Sequence, residues 1–435
     1  MTKIITNHRV IKMKNRYQKY FQTDCIKLNS RAEEIKYVRE LAAEVVNIAS
    51  EPRMAAIKQR WCDVNGLRRP DHSPVWCNPV GLWSELLPDS TLGCRDPLLR
   101  NLELTFKKLL IKRKIDDDTP INDYFKSGMV FDVTPENVWG VDIVRESLET
   151  EGSAWLYKSA LQTPSDFDRL RIPEYRYNPQ KTAVAAAHLE EVLSGVMPVK
   201  IVPFQGYFSI ATICSAAANL RGMEQMMMDM MLEPELVHRL MSIICEGAMR
   251  FLDAVEASGK IVPNNDEAMF QSDPLRPGIT GNNYSLKDCW IAGNSQELDQ
   301  VSPAMFEEFL LDYQKKIFAR FGAVSYGCCE NLTNKMDPVL AIPNLKIMVC
   351  SAWTNLDKLI AKVGTKHCIM WRHKASDVVC PHDTAALKQY VNEGARKLQG
   401  CYYQTILREL QTQMGHDNRL YEWTQISKEA AVKYA

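Results

Sequence analysis

The chain has 435 residues, 46% hydrophobic and 24% charged, enough to enclose one large core or two modest ones. Lysine plus arginine equals aspartate plus glutamate at 53 each, so no overall field draws the chain to nucleic acid or an anionic membrane. Thirteen cysteines, an odd number without the close spacing of a secreted disulfide framework, read as reduced thiols in a cytoplasm, and 19 methionines fit a well-reduced or anaerobic setting.

The opening "MTKIITNHRVIKMKNRYQKYF" is basic but lacks the apolar stretch and cleavage site of a secretory signal. No window carries the roughly 18 to 20 apolar residues that cross a bilayer. A cytoplasmic protein without membrane or nucleic-acid partners is expected. Residues 1–68 have helical spacing and are read as an N-terminal arm, in which Ser30 caps and Glu33 closes a capping box. "GLRRPDHSP" then breaks the pattern.

Eight short apolar runs follow as strand candidates: "PVWCN" (74–78), "VKIVPF" (199–204), "KIVPNN" (260–265), "LKDCWIAG" (286–293), "GAVSYGCC" (322–329), "LKIMVCSA" (345–352), "KHCIMWRH" (366–373) and "CYYQTILREL" (401–410). Helical stretches join the later ones at about the length of a βαβ crossover, which implies parallel pairing covered by helices. The predicted fold is α/β: a (β/α)8 TIM barrel over 69–435, preceded by the arm and carrying an insertion at about 82–198 after the first strand. That insertion contains "MVFDVTPENVWGVDIVRESLETEGSAWLYKSAL", read as a hairpin region forming a lid or wall. "IDDDTP" (115–120) reads as a solvated turn, and "MEQMMMDMMLEPELVHRLM" as a buried core helix with plastic packing.

In such a barrel the reacting groups come from the carboxyl ends of strands. "YGCCEN" lies where the fifth strand ends. Strand alternation puts Val324, Tyr326 and Cys328 on one face and Ser325, Gly327 and Cys329 on the other. With the Tyr326 face inward, Cys328 is the functional thiol and candidate metal ligand, Cys329 packs against helices, and a regular strand cannot give both to one metal. A strained vicinal disulfide is the alternative use of the pair. Partners expected from other strand ends are Asp266, Glu297, Glu330, Arg372, His373, Gln404 and Glu409, with Trp83 and Glu85 as an aromatic wall beside a carboxylate. Such donors permit zinc, although no C-x-x-C or H-E-x-x-H spacing demands it.

"LRGMEQMMMDMMLEPELVHRLM", "VSPAMFEEFLLDYQKKIFARFGAVSYGCCENL" and "YQTILRELQTQMGHDNRLYEWTQISKEAA" together resemble the uroporphyrinogen decarboxylase superfamily, in particular its decarboxylase-like branch associated with corrinoid-dependent methyl transfer in anaerobes. The likeness covers about 200–430 and, less closely, "RRPDHSPVWCNPVGLWSELLP". It implies the same barrel. Where the true decarboxylases carry an arginine-rich motif, this chain reads "WCNPVGLW" without arginine, so a porphyrinogen substrate is not expected. Thiol methyltransferases of the family hold zinc with His-any-Cys on the fifth strand and a Cys on the eighth. Here Cys328 matches the motif's Cys, Tyr326 stands in place of His, and Gln404 and Glu409 stand where the second Cys falls. The resemblance therefore implies a corrinoid-dependent methyltransferase that moves a methyl group from a small O- or N-methylated compound to a partner corrinoid (cobalamin-type) protein, as in anaerobic O-demethylation. Tyr326, Glu409 or Glu330 would aid the leaving group, with zinc an additional expectation. Two alternatives stand beside it: a cofactor-independent decarboxylase or lyase binding its carboxylate through Arg372 or Arg408, and a non-catalytic corrinoid or small-molecule binding relative.

Overall fold

The computed structural model describes residues 28–147, 155–204 and 210–435. Residues 1–27 of the expected arm, and 148–154 of the expected hairpin region, lie outside the described residues.

The N-terminal helix Arg31–Ala49 begins as its sequence dictates. Ser30 Oγ accepts from Glu33 N at 3.3 Å, while Glu33 reaches back to Asn29 N at 2.7 Å rather than to Ser30, so the box is made with a shifted partner. Val38, Leu41, Ala42, Val45 and Ile48 form its buried stripe. A second helix, Pro52–Asn65, starts on a proline at its first position, where a missing N–H costs nothing. Both helices share one apolar cluster with Ala292, Ala323, Ile347, Val349, Met370 and Ile406, the residues on one face of the main sheet.

Twelve strands are described: β1 (Val75–Pro79), β2 (Phe125–Gly128), β3 (Phe131–Thr134), β4 (Val144–Ser147), β5 (Trp155–Lys158), β6 (Glu174–Tyr177), β7 (Val199–Val202), β8 (Trp290–Gly293), β9 (Ala323–Tyr326), β10 (Leu345–Cys350), β11 (Cys368–His373) and β12 (Tyr403–Leu410). Six form one curled, all-parallel sheet in the order β1-β12-β11-β10-β9-β8. The remaining strands pair two by two: β2 parallel to β7, β3 antiparallel to β6, and β4 antiparallel to β5.

Six of the eight expected strands thus join the main sheet. "VKIVPF" becomes β7 but pairs with β2, and 260–265 forms no strand. Both sheet edges show why the ladder stops. On the outer edge of β1, Asp118 Oδ2 accepts from Val75 N at 2.8 Å and Asp117 Oδ2 from Cys77 N at 2.9 Å, so two carboxylates take the place of a neighbouring strand. These acids lie within "IDDDTP", which is therefore not a solvated turn at these two positions: Asp117 and Asp118 are buried and balanced by Lys112 and by Arg60, the latter at 2.7 Å from Asp118. On the outer edge of β8, the Asn264 side chain accepts from Trp290 N at 2.8 Å and donates to Trp290 O at 3.0 Å. An amide side chain makes the pairing expected of a strand backbone.

The other face of the sheet packs on helices. Val324, Tyr326, Met348, Cys350, Ile369, Trp371 and Tyr403 join a cluster with Pro234–Ala257 and Asp312–Phe318. The methionine-rich helix Met223–Leu232 buries Met226 and Met230 but exposes Met223, Met228 and Met231, so only one side of it is core. Among the described residues no helix is long and apolar enough to cross a membrane.

Candidate functional site

The carboxyl ends of β9, β10, β11 and β12 open on a cleft of about 410 Å³, the position at which parallel α/β sheets place their ligands. Its walls include Cys328 and Cys329 after β9, Ser351 and Trp353 after β10, Arg372 and Lys374 at the end of β11, and Arg408 and Glu409 on β12.

Regular alternation cannot deliver two adjacent side chains to one cleft, and at two strand ends the alternation is broken. Gly327 has φ +112°, and a Cβ there would lie 2.8 Å from Val349 Cβ and 2.9 Å from Leu332 Cδ1. Only glycine takes this turn without strain, and past it both Cys328 and Cys329 reach the cleft. On β12, Cys77 pairs with Leu407 while Pro79 pairs with Leu410, so the later strand carries one extra residue. That is a β-bulge, with Glu409 at φ +59°, and it turns both Arg408 and Glu409 to the same opening.

The result is a compact donor set. The Cys328 and Cys329 sulfurs are 3.8 Å apart, and these two atoms and a Glu409 carboxylate oxygen all lie within 4.8 Å of one another. Two Zn–S bonds of about 2.3 Å at a tetrahedral angle span about 3.8 Å between sulfurs, so the pair already has the spacing of two thiolates on one metal. The expectation that Cys329 packs against helices is corrected: Cys329 lies on the side of Ala323 and Ser325 and lines the cleft, and past the turn at Gly327 Cys328 lines it too. Arg372, 4% exposed, forms an ion pair with Glu409 and sets Nη2 4.0 Å from Cys329 Sγ. The Cys328 thiol is pulled down, first by its hydrogen bond with Cys329 and then by the Arg372 and Arg408 guanidiniums that face it, against the opposing effect of burial. The same hydrogen bond, together with burial, pushes Cys329 up.

Glu330 sits behind this set. It is 3% exposed, and its carboxylate accepts from Cys328 N at 2.9 Å and Ser295 N at 2.8 Å, tying the loop after β9 to the end of β8. Burial raises its pKa. Its carbonyl accepts from Ser351 Oγ at 2.7 Å, linking the loop after β10 as well. Glu330 therefore holds Cys328 in place and does not line the cleft.

Other expected residues lie elsewhere. Tyr326 faces the helices, not the cleft: it is fully buried between Phe306 and Phe318 and donates to Gln314 Oε1 at 2.9 Å, because the inward face of β9 belongs to Ala323 and Ser325. Gln404 lies on the inner face but near the start of β12, donating to Asn65 Oδ1 at 2.7 Å and Met269 O at 3.0 Å, away from the strand ends that form the cleft. His373 is at the cleft wall by position, yet its ring turns into the helical layer beside Trp371 and Tyr390. Its Nδ1 accepts from Trp423 at 2.9 Å, and burial pushes its pKa down to about 3.

Asp266 accepts from Tyr124 Oη and pairs with Lys126 at 2.6 Å. Glu297 accepts from Cys214 Sγ at 2.8 Å and Ser215 Oγ at 2.5 Å, fastening Gln296–Leu298 to the helix Ile213–Arg221. Glu85 accepts from Gln413 N at 3.1 Å and steadies the segment leaving β12, while Trp83 lies under the Lys108 ammonium. Of the expected set, Cys328, Arg372 and Glu409 come together. Trp353, 61% exposed with the Lys374 ammonium 5.1 Å from its ring, was missed; its signal was an aromatic residue directly after a strand end, in "CSAWTN".

No family model matches the chain, and no curated protein does. Among solved structures, a methyltransferase from Methanosarcina mazei is similar, with TM-score 0.49 and 13% identity over 86% of this chain and 98% of that one.

Proposed function

We propose that the chain is a corrinoid-dependent methyltransferase whose cleft takes a small O- or N-methylated compound and passes its methyl group to a corrinoid carried by a partner protein. The observation that carries this reading is the donor set of Cys328, Cys329 and Glu409, with sulfurs 3.8 Å apart at the carboxyl ends of parallel strands. The resemblance noted in the sequence points the same way. In this reading the curled sheet, with the β2–β7 pair, serves as a (β/α)8 barrel, and the protein works in the cytoplasm of an anaerobe.

Cys328, Cys329 and Glu409 would hold zinc, since two soft sulfurs and one carboxylate are ligands that metal accepts, with a fourth position left for a substrate atom. When bound, it supplies a Lewis acid for the donor's heteroatom. The chain's own residues do the rest. Gly327 and the bulge at Glu409 aim the ligands. Glu330 fixes the Cys328 backbone, and Arg372 orients Glu409 through their ion pair. Trp353 and Lys374 line the outer wall and position the donor. The bond from carbon to heteroatom would break with its electron pair going to the heteroatom, which would take a proton from water in the open cleft, and the methyl group would be accepted by the corrinoid that the partner brings as second substrate.

The test mixes the protein with cobalt(I) corrinoid protein and a panel of methyl ethers and methylamines while the cobalt spectrum is followed. Conversion of the cobalt(I) spectrum by at least one donor, lost in Cys328→Ser, is the expected result. A spectrum unchanged across the panel, with active cobalt(I), refutes the reading.

A second reading, a decarboxylase or lyase of a small acid, is favoured by the placement of Arg372 and Arg408 in the same cleft. Carbon dioxide release from candidate acids without added corrinoid separates it from the first.

A further inference from the structure

The same two sulfurs have a second chemistry open to them, which needs neither metal nor corrinoid. Cys328 and Cys329 are adjacent in the chain, their sulfurs are 3.8 Å apart, both are only partly buried, and among the described residues they are the two cysteines on the cleft wall. Cys350, the next thiol along the sheet, is buried, and Cys380 is exposed. Among the described residues no third thiol on the cleft wall competes for either partner.

A disulfide requires sulfurs about 2.05 Å apart, so the pair must close by about 1.8 Å. The movement falls on side-chain rotation at two residues that follow a glycine at φ +112°. Adjacent Cα atoms across a trans peptide are about 3.8 Å apart, shorter than the usual 4.4 to 6.8 Å of a disulfide, so the bond would be strained and readily reduced. A stable structural cross-link is not what this geometry favours. A reversible one is.

We propose that Cys328 and Cys329 form a modification site, oxidised by peroxide to a vicinal disulfide and restored by a dithiol reductant. The balance is that of two thiols and one hydrogen peroxide giving a disulfide and two waters. One sulfur attacks a peroxide oxygen, and the O–O bond breaks with its pair leaving on hydroxide, which takes the thiol proton as water. The neighbouring thiol then attacks the sulfenic sulfur, the S–O bond breaks, and the departing hydroxide takes that thiol's proton as the second water. Two electrons leave the sulfurs and reduce the peroxide. Resting on the metal reading above, the consequence is that oxidation removes two of three metal ligands together and silences the site.

The experiment treats the metal-free full chain with one equivalent of hydrogen peroxide and measures intact mass and peptide maps. The expected result is loss of two hydrogen atoms located to the 328–329 peptide, reversed by dithiothreitol. In Cys329→Ser, a sulfenic acid at Cys328 trapped by dimedone is expected instead. Stable sulfinic acid at Cys328 with Cys329 still free, or no change at this peptide while other cysteines oxidise, overturns the proposal. Zinc affinity of the oxidised protein should fall at least about 100-fold. A disulfide that forms without that fall overturns the metal reading and leaves the modification standing. Zinc bound by both sulfurs in a protein that forms no disulfide does the reverse.

Discussion

Replacing Gly327 by alanine tests how the site is built. The residue sits at φ +112°, a backbone region that costs a residue with a Cβ about 1 to 3 kcal/mol. The new Cβ would also stand 2.8 Å from Val349 Cβ and 2.9 Å from Leu332 Cδ1, and crowding a packed core costs about 1 to 3 kcal/mol more. A loss of about 3 kcal/mol is expected. Gly195→Ala is the matched control, because Gly195 has φ +74° but nothing within 4 Å of its Cβ position, leaving a backbone cost of about 1 kcal/mol. Urea denaturation with an unchanged slope reads both. If Gly327→Ala costs no more than Gly195→Ala, the close turn that carries Cys328 and Cys329 into the cleft is wrongly described.

Other expectations follow from buried groups and the cleft wall. His373 is pushed from 6.5 to about 3 by burial, so the unfolded chain takes the proton first: its contribution is fully present above about pH 6.5 and is lost toward pH 3 at about 1.4 kcal/mol per pH unit. His373→Gln should flatten that part of the stability-against-pH curve; an unaltered slope contradicts the buried neutral ring. Asp118→Ala removes one of the two carboxylate partners of buried Arg60, the other being Asp71, together with the acceptor for Val75 N, and should cost about 1 to 3 kcal/mol in denaturant melts, whereas a loss under about 0.5 kcal/mol would remove the carboxylate edge of β1 from the account. Trp353→Ala, at a side chain 61% exposed, should change stability by less than about 0.5 kcal/mol while raising KM for the methyl donor with kcat unchanged. A fall in kcat alone would take Trp353 out of substrate binding.

Much of the sheet was legible because consecutive parallel strands read as apolar runs separated by helical periods, and 323–326, 345–350, 368–373 and 403–410 appear where those runs lie. The sheet's limits were not legible. Asp117, Asp118 and Asn264 satisfy edge backbone groups with side chains, and no apolar pattern signals a strand that is replaced by a carboxylate or an amide. At the site, period-two alternation grouped Val324 with Tyr326 as the structure does, but the face taken as inward is the one that packs on the helices, so Tyr326 and Cys329 were each assigned to the wrong side. The pattern assumes an unbroken strand, and the break depends on the φ of Gly327, which only the three-dimensional turn reveals. Cys328, Arg372 and Glu409 were legible as strand-end polar groups; the bulge that pairs Arg408 with Glu409 was not, since nothing in "LREL" marks an extra residue.

The central claim is that Cys328, Cys329 and Glu409 hold one metal ion. X-ray absorption of the zinc-loaded protein, with zinc content measured alongside, tests it most directly. The account predicts about one zinc per chain with two sulfur neighbours at about 2.3 Å and oxygen or nitrogen neighbours at about 2.0 Å, the sulfur shell halved in Cys329→Ser and zinc lost in the Cys328→Ser, Cys329→Ser double variant. Zinc that stays in the double variant with the same shell, or a protein that takes up none, contradicts it.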